Sequence, residues 1–144
     1  MSTTADLNTA VTHEPLVPAR PALDAVAAGI APGPHQVRVD CDPDLRLPGD
    51  VVDNLQLVAR EAVDNALRHA FPNNIDGHVW IRLFYERGRL TLNIRDDGIG
   101  MPDFADYDTG GRARIVQAGN ALNAYIRMGA APFGGALVSI TLPA

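Results

Sequence analysis

Two stretches, Glu61-Ala62-Val63-Asp64-Asn65-Ala66-Leu67-Arg68-His69-Ala70-Phe71 and Asp96-Asp97-Gly98-Ile99-Gly100-Met101-Pro102, decide how this chain folds. The first belongs to a segment with helical periodicity. At 100° per residue, Val51, Leu55, Val58, Ala62, Ala66 and Ala70 share one side, as a core-facing amphipathic helix requires. Asn54, Glu61, Asn65 and Arg68 fall in an arc of roughly 60° beside that apolar stripe. A carboxylate, an amide and a guanidinium therefore line one groove edge, an arrangement that a plain solvated face also produces.

The second stretch weighs against the plain reading. In Leu90-Thr91-Leu92-Asn93-Ile94-Arg95-Asp96 the apolar Leu90, Leu92 and Ile94 share one face of a strand, and Asp96 has their parity. The strand delivers a carboxylate to the buried face, where an unpaired charge is costly. Such an aspartate wants a donor, and a ligand amine would serve. Gly98 and Gly100 then let the backbone turn close to that ligand. The run is not the dinucleotide-binding fingerprint, which needs a third glycine and a helix directly after the strand. Here Met101-Pro102 follow.

The 144 residues suffice for one domain with a real core. Twelve basic residues, all arginine, stand against seventeen acidic ones, and the net charge of −5 argues against nonspecific binding to nucleic acid. The single cysteine, Cys41, has no internal disulfide partner, reads as a small packed residue and fits a reducing cytoplasm. No apolar run approaches a membrane span and the N-terminus lacks a signal-peptide pattern, so a cytoplasmic chain without membrane contact is expected.

Residues 1–33 read as a flexible Pro/Thr-rich tail, in which Leu23 to Ile30 has room for two helical turns. Residues 34–144 read as the domain. Gln36 to Cys41 alternates and is expected as the first strand, and Asp50 is placed to cap the long helix. Pro72 ends that helix, and Asn73 to Gly77 carry turn chemistry. Val79 to Tyr85 is expected as a strand with Val79, Ile81, Leu83 and Tyr85 on one face and Trp80 and Phe84 on the other. Glu86-Arg87-Gly88-Arg89 closes a hairpin into the Asp96 strand. Trp80 reads as a structural aromatic, with a partner-binding anchor as the other reading. Val138 to Pro143 is the last strand.

In this order, the two stretches resemble the GHKL ATPase superfamily of gyrase, the heat-shock ninety chaperones, sensor histidine kinases and anti-sigma-factor kinases. Glu61-x-x-x-Asn65 with Arg68-His69-Ala70 is similar to the N box, and Asp96-Asp97-Gly98-Ile99-Gly100 to the first glycine box. The resemblance runs from about Val37 to Pro143. It implies the Bergerat ATP-binding fold, an α/β (α+β) two-layer sandwich with a mixed sheet packed on helices and ATP between the N-box helix and a lid. It further implies Asp96 on the adenine, Mg2+ on Asn65, Gly98 and Gly100 lining the pocket, and Arg68 on a phosphate. Glu61 is either a neighbour of the metal or a general base that orients water. His69 falls in the apolar arc, as a packed histidine does, whereas the resemblance puts it on the phosphate side.

The pattern departs from the family in its last third. Asp103 to Thr109 leaves room for only a short lid. The second glycine box, whose N–H groups at a helix start hold phosphates, is represented by Gly110-Gly111-Arg112. Arg112 stands at the later glycine's place, where it either breaks the glycine turn or itself contacts a phosphate. Gly134-Gly135-Ala136 stands where Gly-Thr is usual, so a hydroxyl is missing.

The short lid and His69-Ala70-Phe71-Pro72 most resemble the catalytic domain of two-component histidine kinases. That implies signal transduction by phosphotransfer to a separate phosphoacceptor or regulatory protein, because proline-broken flanks around His13-Glu14-Pro15 cannot build a phosphoacceptor hairpin. A free-standing anti-sigma-factor serine kinase matches the chain's size. A degenerate ATPase fold kept as a partner-binding module, with little turnover, is the non-enzymatic alternative. A homodimer is compatible with each reading.

Overall fold

The computed structural model describes residues 15–29, 35–69, 77–98, 111–131 and 134–143. Its strands are β1 (Leu16–Pro18), β2 (His35–Cys41), β3 (Arg46–Pro48), β4 (Gly77–Glu86), β5 (Arg89–Asp96), β6 (Tyr125–Ala130) and β7 (Ala136–Leu142). Its helices are α1 (Arg20–Ala28), α2 (Gly49–His69) and α3 (Gly111–Ala121). Five strands form one sheet in the order β2-β4-β5-β7-β6. β2 lies parallel to β4 and the other neighbours are antiparallel. β1 and β3 pair separately.

Alternation decides which face of the sheet is covered. Val79, Ile81 and Leu83 of β4, Leu90, Leu92 and Ile94 of β5, and Val138 and Ile140 of β7 are buried. The register sets Ile81 opposite Ile94 and Ile94 opposite Val138, so one apolar layer crosses the strands. Helical residues complete the same core, which gives the mixed two-layer α/β sandwich. Tyr85 has the parity of that layer but stands near the end of β4 and is 59% exposed, so the covered face stops at Leu83.

α2 turns Val52, Leu55, Val58, Ala62 and Ala66 inward. Its buried band is wider than one stripe because α2 packs against α1 and α3 as well as the sheet. Ala59 and Val63 are therefore buried too. The helix starts at Gly49, which puts Asp50 in the first turn rather than at the cap. Its Oδ1 accepts the Val51 N–H at 2.9 Å, still an acid at the positive end of the helix. Ala70 and Pro72 lie outside the described residues.

The stretch read as a tail contributes β1 and α1. Pro21 sits in the first turn of α1, where a missing N–H costs nothing, so a Pro-rich stretch still folds. Ala19, Leu23 and Val26 are buried in the same core as α2, so that core reaches N-terminal of residue 34. Three bonds fasten the segment: Ala19 N–H to the Leu45 carbonyl (3.0 Å), Arg20 Nη1 to the Cys41 carbonyl (2.7 Å) and Gln56 Nε2 to the Ala22 carbonyl (3.0 Å). No described helix is long and apolar enough to cross a membrane.

Candidate nucleotide site

Asp96 closes β5 and is 4% exposed. Its Oδ1 accepts the Gly98 N–H at 2.9 Å and the Ala136 N–H at 3.2 Å. One donor comes from the turn after β5, the other from the start of β7. Gly135, at φ +80°, passes so close that a Cβ there would overlap the Asp96 carbonyl and lie 2.9 Å from Oδ1. Only glycine fits. Burial raises the Asp96 pKa, and the bonds from Gly98 and Ala136 pull it back without cancelling the rise. A donor brought to this sheltered carboxylate gains more than it would in water.

Asp97, of opposite parity, is clamped to the start of β4. Its Oδ1 accepts the His78 N–H at 2.7 Å, its Oδ2 lies 2.9 Å from His78 Nδ1, and its own N–H donates to the His78 carbonyl at 3.2 Å. Partial burial pushes its carboxyl up, but the hydrogen bonds and charge of His78 outweigh this and hold it below its ordinary range. The clamp sets the direction in which the chain leaves β5 toward Gly98. Sequence reading missed it, because its only signal was the outward parity of Asp97.

On α2 the polar arc divides. Asn65 is buried and Glu61 is sheltered, its side chain 15% exposed. Glu61 Oε2 lies 3.2 Å from Arg114 Nε on α3. Arg68 is exposed and pairs with Asp64 of its own helix at 3.1 Å, so the structure does not bring it to a shared site. Asn54 Nδ2 likewise turns back to the Asp50 carbonyl (2.9 Å). Gly111 and Arg112 form the first turn of α3, so Arg112 continues a helix rather than standing in a turn ahead of it. The His69 side chain, Gly100, Gly110 and the lid stretch 103–109 lie outside the described residues. Cys41 is buried, and burial pushes its thiol up, as suits a packed residue.

A buried carboxylate at a strand end, and a sheltered acid and amide on the covering helix, are the groups this α/β sandwich offers to a nucleotide. Residues 50–144 match the family of histidine kinase-, DNA gyrase B-, and HSP90-like ATPases, and the chain belongs to that family. The anti-sigma F factor of Geobacillus stearothermophilus is 37% identical over 57 residues, 40% of this chain and 39% of that protein. Blue-light-activated histidine kinase 2 of Erythrobacter litoralis is 32% identical over 88 residues, 59% of this chain and 25% of that one. Among solved structures, the histidine kinase domain of an Erythrobacter litoralis blue-light-activated histidine kinase superposes with a TM-score of 0.75 at 26% identity, over 88% of this chain and 61% of that one. The ATP-binding domain of PrrB from Mycobacterium tuberculosis has the same fold, with a TM-score of 0.69 at 24% identity over 90% and 96% of the two chains. This chain thus spans well under half the length of the anti-sigma factors it matches.

Domains of this family bind ATP, generally with Mg2+. The residues present fit the adenine end of that ligand: a buried carboxylate, its Oδ1 held by two N–H groups, and a glycine cradle that a Cβ would fill. Asn65 and Glu61, one helical turn apart, supply oxygens of the type Mg2+ takes when phosphates complete its shell.

Proposed function

We propose that this chain is the ATP-binding catalytic unit of a signalling kinase, which passes the γ-phosphoryl group of ATP to a separate protein in the cytoplasm. The observation that carries the reading is the Asp96 carboxylate, buried and held by Gly98 and Ala136. Asp96 accepts the adenine amine and Gly98 and Gly100 let the backbone approach the ring. Asn65 holds Mg2+, which would neutralise phosphate charge. Arg68, once released from Asp64, and His69 contact the phosphates, as do Gly110, Gly111 and Arg112.

In the transfer, the bond from the γ-phosphorus to the β–γ bridging oxygen breaks and a bond to the partner's nucleophile forms. ADP leaves with the electron pair. Glu61 takes the proton when that nucleophile is a hydroxyl. Two acceptor chemistries fit. The histidine-kinase reading, as part of a two-component system, rests on the likeness of folds. The serine-kinase reading is favoured by the 37% identity to anti-sigma F factor.

Calorimetric titration with ATP, with and without Mg2+, tests nucleotide binding. Asn65→Ala should abolish the gain that magnesium gives while leaving adenosine affinity nearly unchanged. If magnesium still tightens ATP binding in the variant, its ligand is elsewhere. Transfer from γ-labelled ATP to a partner then separates the chemistries, since phosphohistidine is lost in acid and phosphoserine survives. Failure to bind any nucleotide would overturn the whole reading.

A further inference from the structure

We propose that the outer face of the five-stranded sheet, opposite the helices, docks an acidic, extended protein segment. The register builds this face in ladders. Arg38 lies opposite Trp80, and Trp80 opposite Arg95. The next ladder runs Asp40, Arg82, Asn93, Ser139 and Arg127 across all five strands. Together these two ladders carry Arg38, Arg82, Arg95 and Arg127 against Asp40 alone, on a chain whose net charge is −5. Four of the twelve arginines thus stand in two adjacent ladders beside a single acid, and an acidic partner is the complement of that patch.

The arginines are also prepared for carboxylates. The Arg95 guanidinium lies 4.5 Å from the Trp80 ring centroid, and that of Arg82 lies 4.5 Å from the Phe84 centroid. Stacking restrains both forks; that of Arg82 also meets Asp40 Oδ2 at 3.3 Å, which shows the carboxylate contact this face can make, and that of Arg95 is placed for the same contact with a partner. Between them runs a groove of about 290 Å3, whose polar and aromatic walls are Arg38, Asp40, Trp80, Arg82, Asn93 and Arg95. Asn93 Oδ1 is buried there with no hydrogen-bond partner among the described residues. A peptide main chain carries a donor at each residue other than proline.

Two other occupants fit less well. Nucleic acid on a sheet needs open aromatic faces for its bases, but here guanidinium groups lie over Trp80 and Phe84, and His78 stacks on Trp80 at 5.6 Å. A second copy placed face to face would set like charges against each other. The proposal does not depend on ATP turnover, because Asp96 has the opposite parity and belongs to the helix-covered side.

Fluorescence anisotropy with a labelled ten-residue Glu/Ala peptide tests it, with a Lys/Ala peptide and oligo-dT as competitors. The Glu peptide should bind and weaken with added salt, and Arg38→Glu with Arg127→Glu should cost at least tenfold in affinity. Asp40→Asn, which frees Arg82 from its 3.3 Å ion pair, should tighten binding severalfold. Circular dichroism and ATP titration should be unchanged in both variants. The proposal is overturned if the Glu peptide does not bind, if the substitutions leave its affinity unmoved, or if oligo-dT binds more tightly. Sedimentation showing a dimer that the double charge reversal dissolves would assign the face to a second copy instead.

Discussion

Glu61 Oε2 and Arg114 Nε lie 3.2 Å apart, tying the one sheltered acid of the N-box helix to the helix that follows the lid stretch. Arg114 is 54% exposed, so the pair adds about 0–1 kcal/mol to stability. Its larger effect is on Glu61, because the guanidinium occupies Oε2 and competes with any other donor for that oxygen.

Arg114→Ala should therefore raise basal ATP hydrolysis a few-fold, while its urea midpoint moves little. Glu61→Gln should suppress hydrolysis in both backgrounds. A fall in hydrolysis in Arg114→Ala would mean that the arginine positions Glu61 rather than restrains it.

Asp96→Asn keeps an oxygen to accept from Gly98 and Ala136 but removes the buried charge. It should weaken ATP binding by the roughly 1.5–3 kcal/mol of a charge-assisted hydrogen bond. The empty protein should respond in the opposite sense. Because the folded pKa of Asp96 is raised above 3.8, wild type holds a proton that the unfolded chain has lost, and its stability falls as pH rises from about 3.8. The variant should be more stable relative to wild type at pH 7 than at pH 3. Asp97, whose folded pKa is lowered, behaves inversely: its contribution is present above 3.8 and lost as pH falls through the folded value, so the penalty of Asp97→Asn should shrink in acid. Urea melts of the three proteins across pH 2–7 separate the two signs.

Gly135→Ala places a Cβ against the Asp96 backbone at a positive φ. A loss of about 1–3 kcal/mol in stability and loss of nucleotide affinity should appear together, since one displacement causes both. Gly129→Ala, with nothing within 4 Å of its built Cβ, is the matched control and should change neither. Retained ATP affinity in Gly135→Ala would separate the cradle from the site.

Arg112 lies in the first turn of α3, where the family resemblance would set a glycine beside phosphate. ATP and ADP should bind with similar affinity, and Arg112→Gly should raise the preference for ATP or the turnover rate. A roughly tenfold loss of ATP affinity in that variant, near the 1.4 kcal/mol of one contact, would make Arg112 itself the phosphate ligand. Parallel titrations of both nucleotides decide.

The parts of the fold legible in sequence are those whose order is local. Leu90, Leu92 and Ile94 announce a half-buried strand, and their parity carries Asp96 inward; the helical repeat from Leu55 to Ala66 announces α2. β1 and β3 escape because three residues give no period and each ends in a proline, Pro18 and Pro48. β6 escapes because Tyr125-Ile126-Arg127-Met128-Gly129-Ala130 lies mostly on the surface and ends in small residues. The site was read as residue types on their own elements. What completes it comes from across the fold: Arg114 on Glu61, His78 on Asp97, Gly135 on Asp96. None of these has a spacing that periodicity could reveal. The glycine pair Gly134-Gly135 was visible, yet only the register of β7 shows why it is there.

The insertion of β7 between β5 and β6 has a consequence for how the chain is made. β6 precedes β7 on the ribosome yet pairs with no other described strand, and Asp96 takes a donor from the first residue of β7. A nascent chain released only through Ala130 has its N-box helix and its aspartate but an unpaired β5 edge and no floor to the pocket, a state prone to wrong pairing. On the role proposed for Asp96, ATP would gain its adenine contact only once β7 is in place, so nucleotide would favour the finished sheet over that intermediate.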